Sequence, residues 1–155
     1  MATPGNLRRL GALDLDQAAE IHREAFAPAG ERGWSREEMA ELLASPGVAG
    51  LMLEFDAAAG IAICRVAADE AELLTIAVHP AHRRRGAGRR LLDAVLAHVR
   101  EAGAGCLFLE VAVDNPAARG LYDSAGFRPA GNRPAYFSRS GRPPADGLVM
   151  RIDLA

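Results

Sequence analysis

The chain has 155 residues, half of them hydrophobic and a quarter charged, with a formal net charge of −2. That is the length of one domain with a real core, and it carries no basic surplus for nucleic acid. All 18 basic residues are arginine, which excludes a P-loop lysine, a Schiff-base lysine and a Ser-Lys dyad together.

No run reaches the roughly 18 apolar residues of a membrane span. The opening stretch MATPGNLRRLGALDLDQ has no apolar core of signal-peptide length. Cys64 and Cys106 sit far apart in apolar runs, and His22, His79, His82 and His98 form no metal-ligand spacing, so no metal site is expected. One domain over residues 1–155 is expected, cytoplasmic, with two buried thiols.

In chain order, ALDLDQAAEIHREAF predicts a first helix with Asp14 as N-cap and Gln17 in the capping-box position. GWSREEMAELLASPG predicts a second: Ser35 and Glu38 make an S-x-x-E box, Trp34 and Met39 can staple it, and Pro46-Gly47 ends it. The runs GVAGLMLEF, GIAICRV and ELLTIAV, joined by turn-rich DAAAG and AADEA, predict an antiparallel meander.

The period then changes. Leu91, Leu92, Val95, Leu96 and Val99 follow helical spacing, with Gly103 as terminator. CLFLEVAV is a near-continuous apolar run that suits a central buried strand. NPAARGLYDSAGF predicts a last helix, with Asn115 as N-cap, Pro116 at N1 and Gly126 past its end. Strand candidates remain at Phe127 and at GLVMRIDL, and RPAGNRPAYFSRSGRPPADG reads as a long loop between them. The order predicts an α/β (α+β layered) domain with a closing hairpin, not a regular βαβ repeat.

The stretch HPAHRRRGAGRRLL follows a strand and opens a helix. A helix start offers unpaired N–H groups and partial positive charge, and glycines let the backbone approach an anion. Arginines there oppose the helix dipole, a mismatch that an anionic ligand would relieve. A solvated charged turn is the alternative. Glu110, inside CLFLEVAV, is a carboxylate where burial is costly unless it is used or paired; it is either a general base or half of an ion pair with an arginine. Tyr122 is either a proton donor or simple packing.

LLTIAVHPAHRRRGAGRRLL resembles the acyl-CoA-binding motif of the GNAT acetyltransferase superfamily, a strand followed by [QR]-x-x-G-x-[GA] and a helix, with Arg83, Gly86 and Gly88 in the fixed places. IAVHP, LEVAVDNPAARGLYDSAGF, RPAYF and the earlier WS resemble the ribosomal-protein-alanine N-acetyltransferases, the RimI group. The resemblance runs from Trp34 to Met150 and implies the acyl-CoA N-acyltransferase fold: a mixed central sheet, flanked by helices, splayed between its fourth and fifth strands.

It further implies that acetyl-CoA is the co-substrate, with its pyrophosphate on the backbone of Arg83, Arg84, Arg85, Gly86, Ala87 and Gly88. Its pantetheine arm would lie along Ile76, Ala77 and Val78 and touch Asn115. In the same resemblance Glu110 is the base, acting directly or through water, and Tyr122, by its place in the motif, is the acid for the leaving thiolate. Tyr136 and its surrounding loop either wall the substrate groove or form a disordered surface loop. No cysteine occupies the slot motif, which favours direct transfer in a ternary complex.

An α-amino group titrates at about 7.7–8.0 and lysine at about 10.4, so at about pH 7.5 their neutral fractions differ by roughly two orders of magnitude. A modest base suits a protein N-terminus, and the subgroup implies the N-terminal alanine of a small-subunit ribosomal protein. The segment APAGERG and GW in place of PW depart from the subgroup pattern on the peptide side. A small-molecule amine, or acyl-CoA binding without turnover, are the alternatives. The partners expected are acetyl-CoA and a protein N-terminus, with no nucleic acid and no membrane, and the chain a monomer or weak dimer.

Overall fold

Capping residues and glycines set the element ends, and the apolar period sets what each element buries. In the computed structural model, which describes residues 5–154, the elements in order are β1 (Asn6–Arg9), α1 (Leu15–Phe26), α2 (Arg36–Ala44), β2 (Val48–Glu54), β3 (Ala58–Ala67), β4 (Glu70–Val78), α3 (Ala87–Glu101), β5 (Cys106–Ala112), α4 (Pro116–Ser124), β6 (Arg128–Phe137) and β7 (Ala145–Asp153). The strands form one seven-stranded sheet in the order β1-β2-β3-β4-β5-β7-β6. Among the described residues only the β4–β5 pairing is parallel.

The expected meander is β2-β3-β4, and the apolar face of α3 does what its spacing predicts: Leu91, Leu92, Val95, Leu96 and Val99 are all buried. They pack with Leu53, Leu107, Leu109 and Met150 on one face of the sheet. On the other face α1 and α2 bury Ile21 and Met39 against Met52, Ile61 and Ile63. The Ser35–Glu38 capping box forms in both directions at 3.1 Å, and Trp34 and Met39 share one cluster. Among the described residues no helix is long and apolar enough to cross a membrane.

Three expectations need correcting. Asp14 precedes α1 but makes no side-chain cap there, and the capping box with Gln17 is not formed. Its carboxylate instead accepts from Gly11 N–H at 2.7 Å and takes Arg8 in a two-pronged pair, both contacts 2.7 Å. That pair holds the Asp14 carboxyl at about 2, below its ordinary value, because a paired guanidinium favours the charged form. Arg8 belongs to β1, an edge strand too short and polar (NLRR) to show alternation, and it also bonds Glu54.

The third correction concerns the long loop. Its first half, Arg128–Phe137, is strand β6, which lies at the sheet edge and pairs β7. Prolines 129 and 134 argue against a strand in the middle of a sheet but are tolerated at an edge. Two irregularities interrupt the pairing, after Pro129 and after Arg133. At the second, Pro134, Ala135 and Tyr136 all lie opposite the single residue Asp146.

Candidate active site

The strands β4 and β5 pair for only three residues, Glu70 with Cys106, Ala71 with Leu107 and Glu72 with Phe108, and then part. Beyond that point β5 pairs with β7 as far as Ala112–Gly147, while the β5-facing edge of β4 has no strand partner from Leu73 to Val78. A bulge helps to turn it away: Ile63 pairs Thr75 and Cys64 pairs Leu73, leaving Leu74 as the extra residue. Bulges bend a strand and re-aim its side chains, and here Leu73 joins the α3-side core while Leu74 and Ala77 join the α1-side core. The parted strands open a cleft of about 1170 Å³, lined by Leu74 to Ile76, Glu110, Asn115, Tyr122 and Tyr136 among others.

Five of the sequence-predicted residues therefore meet in one place. Ile76 lies on the free edge, with Ala77 and Val78 continuing it. Glu110 sits on the opposite wall with its side chain 21% exposed, and its Oε1 is 3.0 Å from Arg133 Nε. The ion pair foreseen as the alternative for Glu110 is thus real, but Arg133 is itself mostly solvated. A pair of that kind contributes little to stability, on the order of 1 kcal/mol or less, and leaves the carboxylate on the cleft wall.

Tyr122 is 4% exposed, set edge-to-face against Phe127 with ring centroids 5.7 Å apart. Burial pushes its phenol well above the usual tyrosine range, so it stays protonated at neutral pH and available as a donor. Asn115 Oδ1 caps α4 by accepting from Ala118 N–H at 3.2 Å, as its position predicts. Tyr136 is half exposed; the nearby Glu110 carboxylate is the chief cause that raises its phenol above the ordinary tyrosine value.

The arginine-glycine corner lies between β4 and α3. Arg84 and Gly86 both take left-handed backbone (φ 64° and 73°), and the first α3 hydrogen bond from outside the helix is Arg90 N–H to Gly86 C=O at 3.1 Å. Among the described residues the backbone N–H groups from Arg84 to Arg89 make no hydrogen bond. A Cβ on Gly86 would meet nothing within 4 Å. Successive free N–H groups around left-handed residues at a helix start form an anion-binding concavity.

The side chains are turned elsewhere. Arg83 bonds Ala25 C=O at 3.0 Å, and Arg85 stacks 4.0 Å over Phe55 and bonds His82. Ala87 is buried, and a Cβ on Gly88 would stand 3.3 Å from Leu121 of α4. The corner fits a diphosphate through its backbone.

Other residues of the site carry no sequence signal of their own. His22 of α1 is 3% exposed and lies between Phe26 and Trp34, with centroids at 4.6 and 4.7 Å. Its Nδ1 accepts from Trp34 N–H at 3.0 Å, which leaves Nε2 as the protonated nitrogen, donating to Thr75 Oγ1 at 3.0 Å. The ring so ties the entry of α2 to the bulged strand. Burial holds the His22 imidazole down to about 4, from 6.5.

A base that is harder to protonate folded than unfolded stabilises the native state fully above the unfolded value, and the contribution is lost as pH falls. Between about pH 6.5 and about pH 4 this amounts to roughly 3 kcal/mol. His22→Gln is expected to flatten the fall of the urea midpoint between about pH 7 and about pH 4.5; equal slopes in variant and wild type would count against it.

Arg139, in the β6–β7 loop, has a side chain 4% exposed and grips Asp114 with both nitrogens at 3.0 and 2.8 Å, with Glu31 at 3.4 Å. It joins the β5–α4 turn to the loop after α1, where Glu31 lines the cleft. Burial raises the Glu31 carboxyl despite that arginine. Cys106 lies where β4 and β5 are still paired, not in the opened part of the slot. Burial lifts the Cys64 thiol to about 11, which leaves it unreactive.

Residues 15–127 match the model of the family described as Acetyltransferase (GNAT) family. The chain is 35% identical to the N-alpha-acetyltransferase RimI of Mycobacterium tuberculosis, a match that covers 97% of this chain and 93% of that protein. It superimposes with a TM-score of 0.88, at 31% identity, on the crystal structure of the ribosomal-protein-S18-alanine N-acetyltransferase from Escherichia coli, covering 98% of this chain and 95% of that one. A shorter match, 50% identical over 82 residues, takes in 53% of this chain but 21% of the uncharacterized protein ML0378 of Mycobacterium leprae.

Proposed function

The chain belongs to the acetyltransferase (GNAT) family and is an N-acetyltransferase, and from that premise we propose that its acceptor is the α-amino group of a protein N-terminus, the N-terminal alanine of a small-subunit ribosomal protein. Acetyl-CoA supplies an acetyl thioester and is the expected donor. The observation that carries the reading is the parting of β4 and β5 beyond Glu72 and Phe108, with Glu110 and Tyr122 both lining the space between. The name of the Escherichia coli structure, a ribosomal-protein-S18-alanine N-acetyltransferase, supports the ribosomal acceptor.

In this reading the free N–H groups of the Arg83–Gly88 corner hold the diphosphate, and the unpaired edge at Ile76, Ala77 and Val78 takes the extended arm as an added strand, with Asn115 beside it. Glu110 accepts a proton from the ammonium group, directly or through water, so that the nitrogen lone pair can attack the thioester carbon. A backbone N–H of the β4 edge stabilises the oxygen that becomes negative in that step. As the C–S bond breaks, the nitrogen releases its second proton to solvent through water, while Tyr122 gives its proton to the departing sulfur and recovers one from solvent. Tyr136 walls the acceptor groove. One domain carries the whole reaction, in the cytoplasm, where two buried free thiols remain reduced.

The reading is tested by incubating the protein with acetyl-CoA and a panel of peptides and amines while free thiol is followed. An alanine-led peptide is expected to outpace lysine side chains by about two orders of magnitude at neutral pH, the ratio of their neutral fractions, and to outpace small amines as well. Turnover of small amines without peptide activity would instead favour a small-molecule acceptor, and no thiol release with any acceptor would mean binding without catalysis.

A further inference from the structure

The second irregularity of β6 is strained at one residue. Ala135 takes φ 53°, a left-handed conformation that a residue with a Cβ adopts only when its surroundings hold it there. What holds it is Asp146 of β7, whose Oδ1 accepts from Ala135 N–H at 2.7 Å. The same residue's main-chain carbonyl accepts from Val113 N–H at 3.0 Å, three residues beyond Glu110. Asp146 thus ties the turned segment of β6 to the strand that carries the carboxylate.

Tyr136 follows Ala135 directly. Its ring packs close over Gly147, where an added Cβ would stand 3.2 Å from it, and it lines the same cleft as Glu110. Arg133, at the start of the same irregularity, bonds that carboxylate and lies over the Tyr136 ring at 5.3 Å. Strain held at a site beside the reacting groups serves to aim a side chain.

We propose that Asp146 is a positioning residue for acetyl transfer: by holding Ala135 left-handed it turns Tyr136 onto Glu110 and fixes the direction in which that carboxylate meets the amine. The proposal rests on Glu110 being the base. Asp146 is solvent-exposed, so its replacement leaves the core intact.

Asp146→Ala is expected to lower kcat for an alanine-led peptide by about tenfold or more while the KM for acetyl-CoA stays within about twofold. Asp146→Asn keeps an acceptor oxygen and recovers most of the loss. Adding Ala135→Gly to Asp146→Ala recovers part of it, because glycine reaches the left-handed region without the Cβ penalty. A second readout needs no turnover. The chain has two tyrosines, so in a Tyr122→Phe background the ultraviolet titration reports Tyr136 alone.

The charged groups that face that phenol are Glu110, Glu72 and Arg133, and Asp146→Ala is expected to bring it back toward the ordinary tyrosine value as Glu110 moves out of reach. An unshifted titration, or an unchanged kcat in Asp146→Ala, overturns the proposal. Full activity in Glu110→Gln overturns the base assignment instead. The two failures are told apart because the titration is recorded without substrate.

Discussion

Glu110→Gln is expected to lower kcat for an alanine-led peptide by about two to three orders of magnitude, with the KM for acetyl-CoA within about twofold of wild type. The size follows from what the amide cannot do. It fills the same volume on the cleft wall and can still meet Arg133 and Tyr136 through its oxygen, but it has no basic site for the proton of the ammonium group. The structure also supplies the competing explanation, since Glu110 lies 3.0 Å from Arg133.

Were that pair merely structural, its loss would cost on the order of 1 kcal/mol or less of stability, Arg133 being well solvated, and turnover would hardly change. Arg133→Gln separates the two, because it removes the pair and spares the carboxylate. A Glu110→Gln rate within about threefold of wild type would mean that the proton goes elsewhere.

Gly86→Val is expected to raise the KM for acetyl-CoA by about tenfold to a hundredfold and to leave kcat at saturating donor much less affected. Gly86 sits at φ 73°, and a Cβ there points into open space, so no packing inside the protein is disturbed. The cost has two parts, both at the corner. A branched residue in left-handed backbone is strained by roughly 1–3 kcal/mol, which unwinds the row of free N–H groups from Arg84 to Arg89. The side chain would also obstruct a diphosphate held by that row, as proposed. Direct binding of coenzyme A by calorimetry gives the check, and unchanged affinity would place the diphosphate elsewhere.

These two expectations draw on the parts of the molecule that were most legible in the sequence. The corner announces itself locally, as charge and glycine between a strand and a helix, and so does the Ser35–Glu38 box. The buried stripe Leu91, Leu92, Val95, Leu96 and Val99 is a matter of period alone. What escaped depends on neighbours distant in sequence. β1 is four residues, three of them polar, that become a strand only because β2 offers an edge. β6 carries two prolines that argue for a loop, and it pairs nonetheless because an edge strand needs bonds on one side only.

The same holds inside the site. Arg133 meets Glu110 through the return of β6 over β7, and His22 meets Thr75 across the helix–sheet interface. Arg139 finds Asp114 and Glu31 by closing a loop. A carboxylate in an apolar run tells the reader that a partner or a use must exist, without saying which arginine supplies it. Asp14 makes the opposite point: its position matches a cap, yet a guanidinium from the unforeseen β1 and an earlier N–H take its oxygens.

The edges of the sheet have a consequence for association between molecules. An open edge is a template on which a strand from another chain can grow, the usual beginning of aggregates. Here one edge, β1, is four residues long. The other, β6, is exposed almost throughout but lacks amide hydrogens at Pro129 and Pro134 and departs twice from regular pairing. An added strand would meet two breaks in register and two missing donors along β6. The kinks that aim an aromatic ring into the cleft therefore also deny this protein the simplest route to fibrous or amorphous accretion.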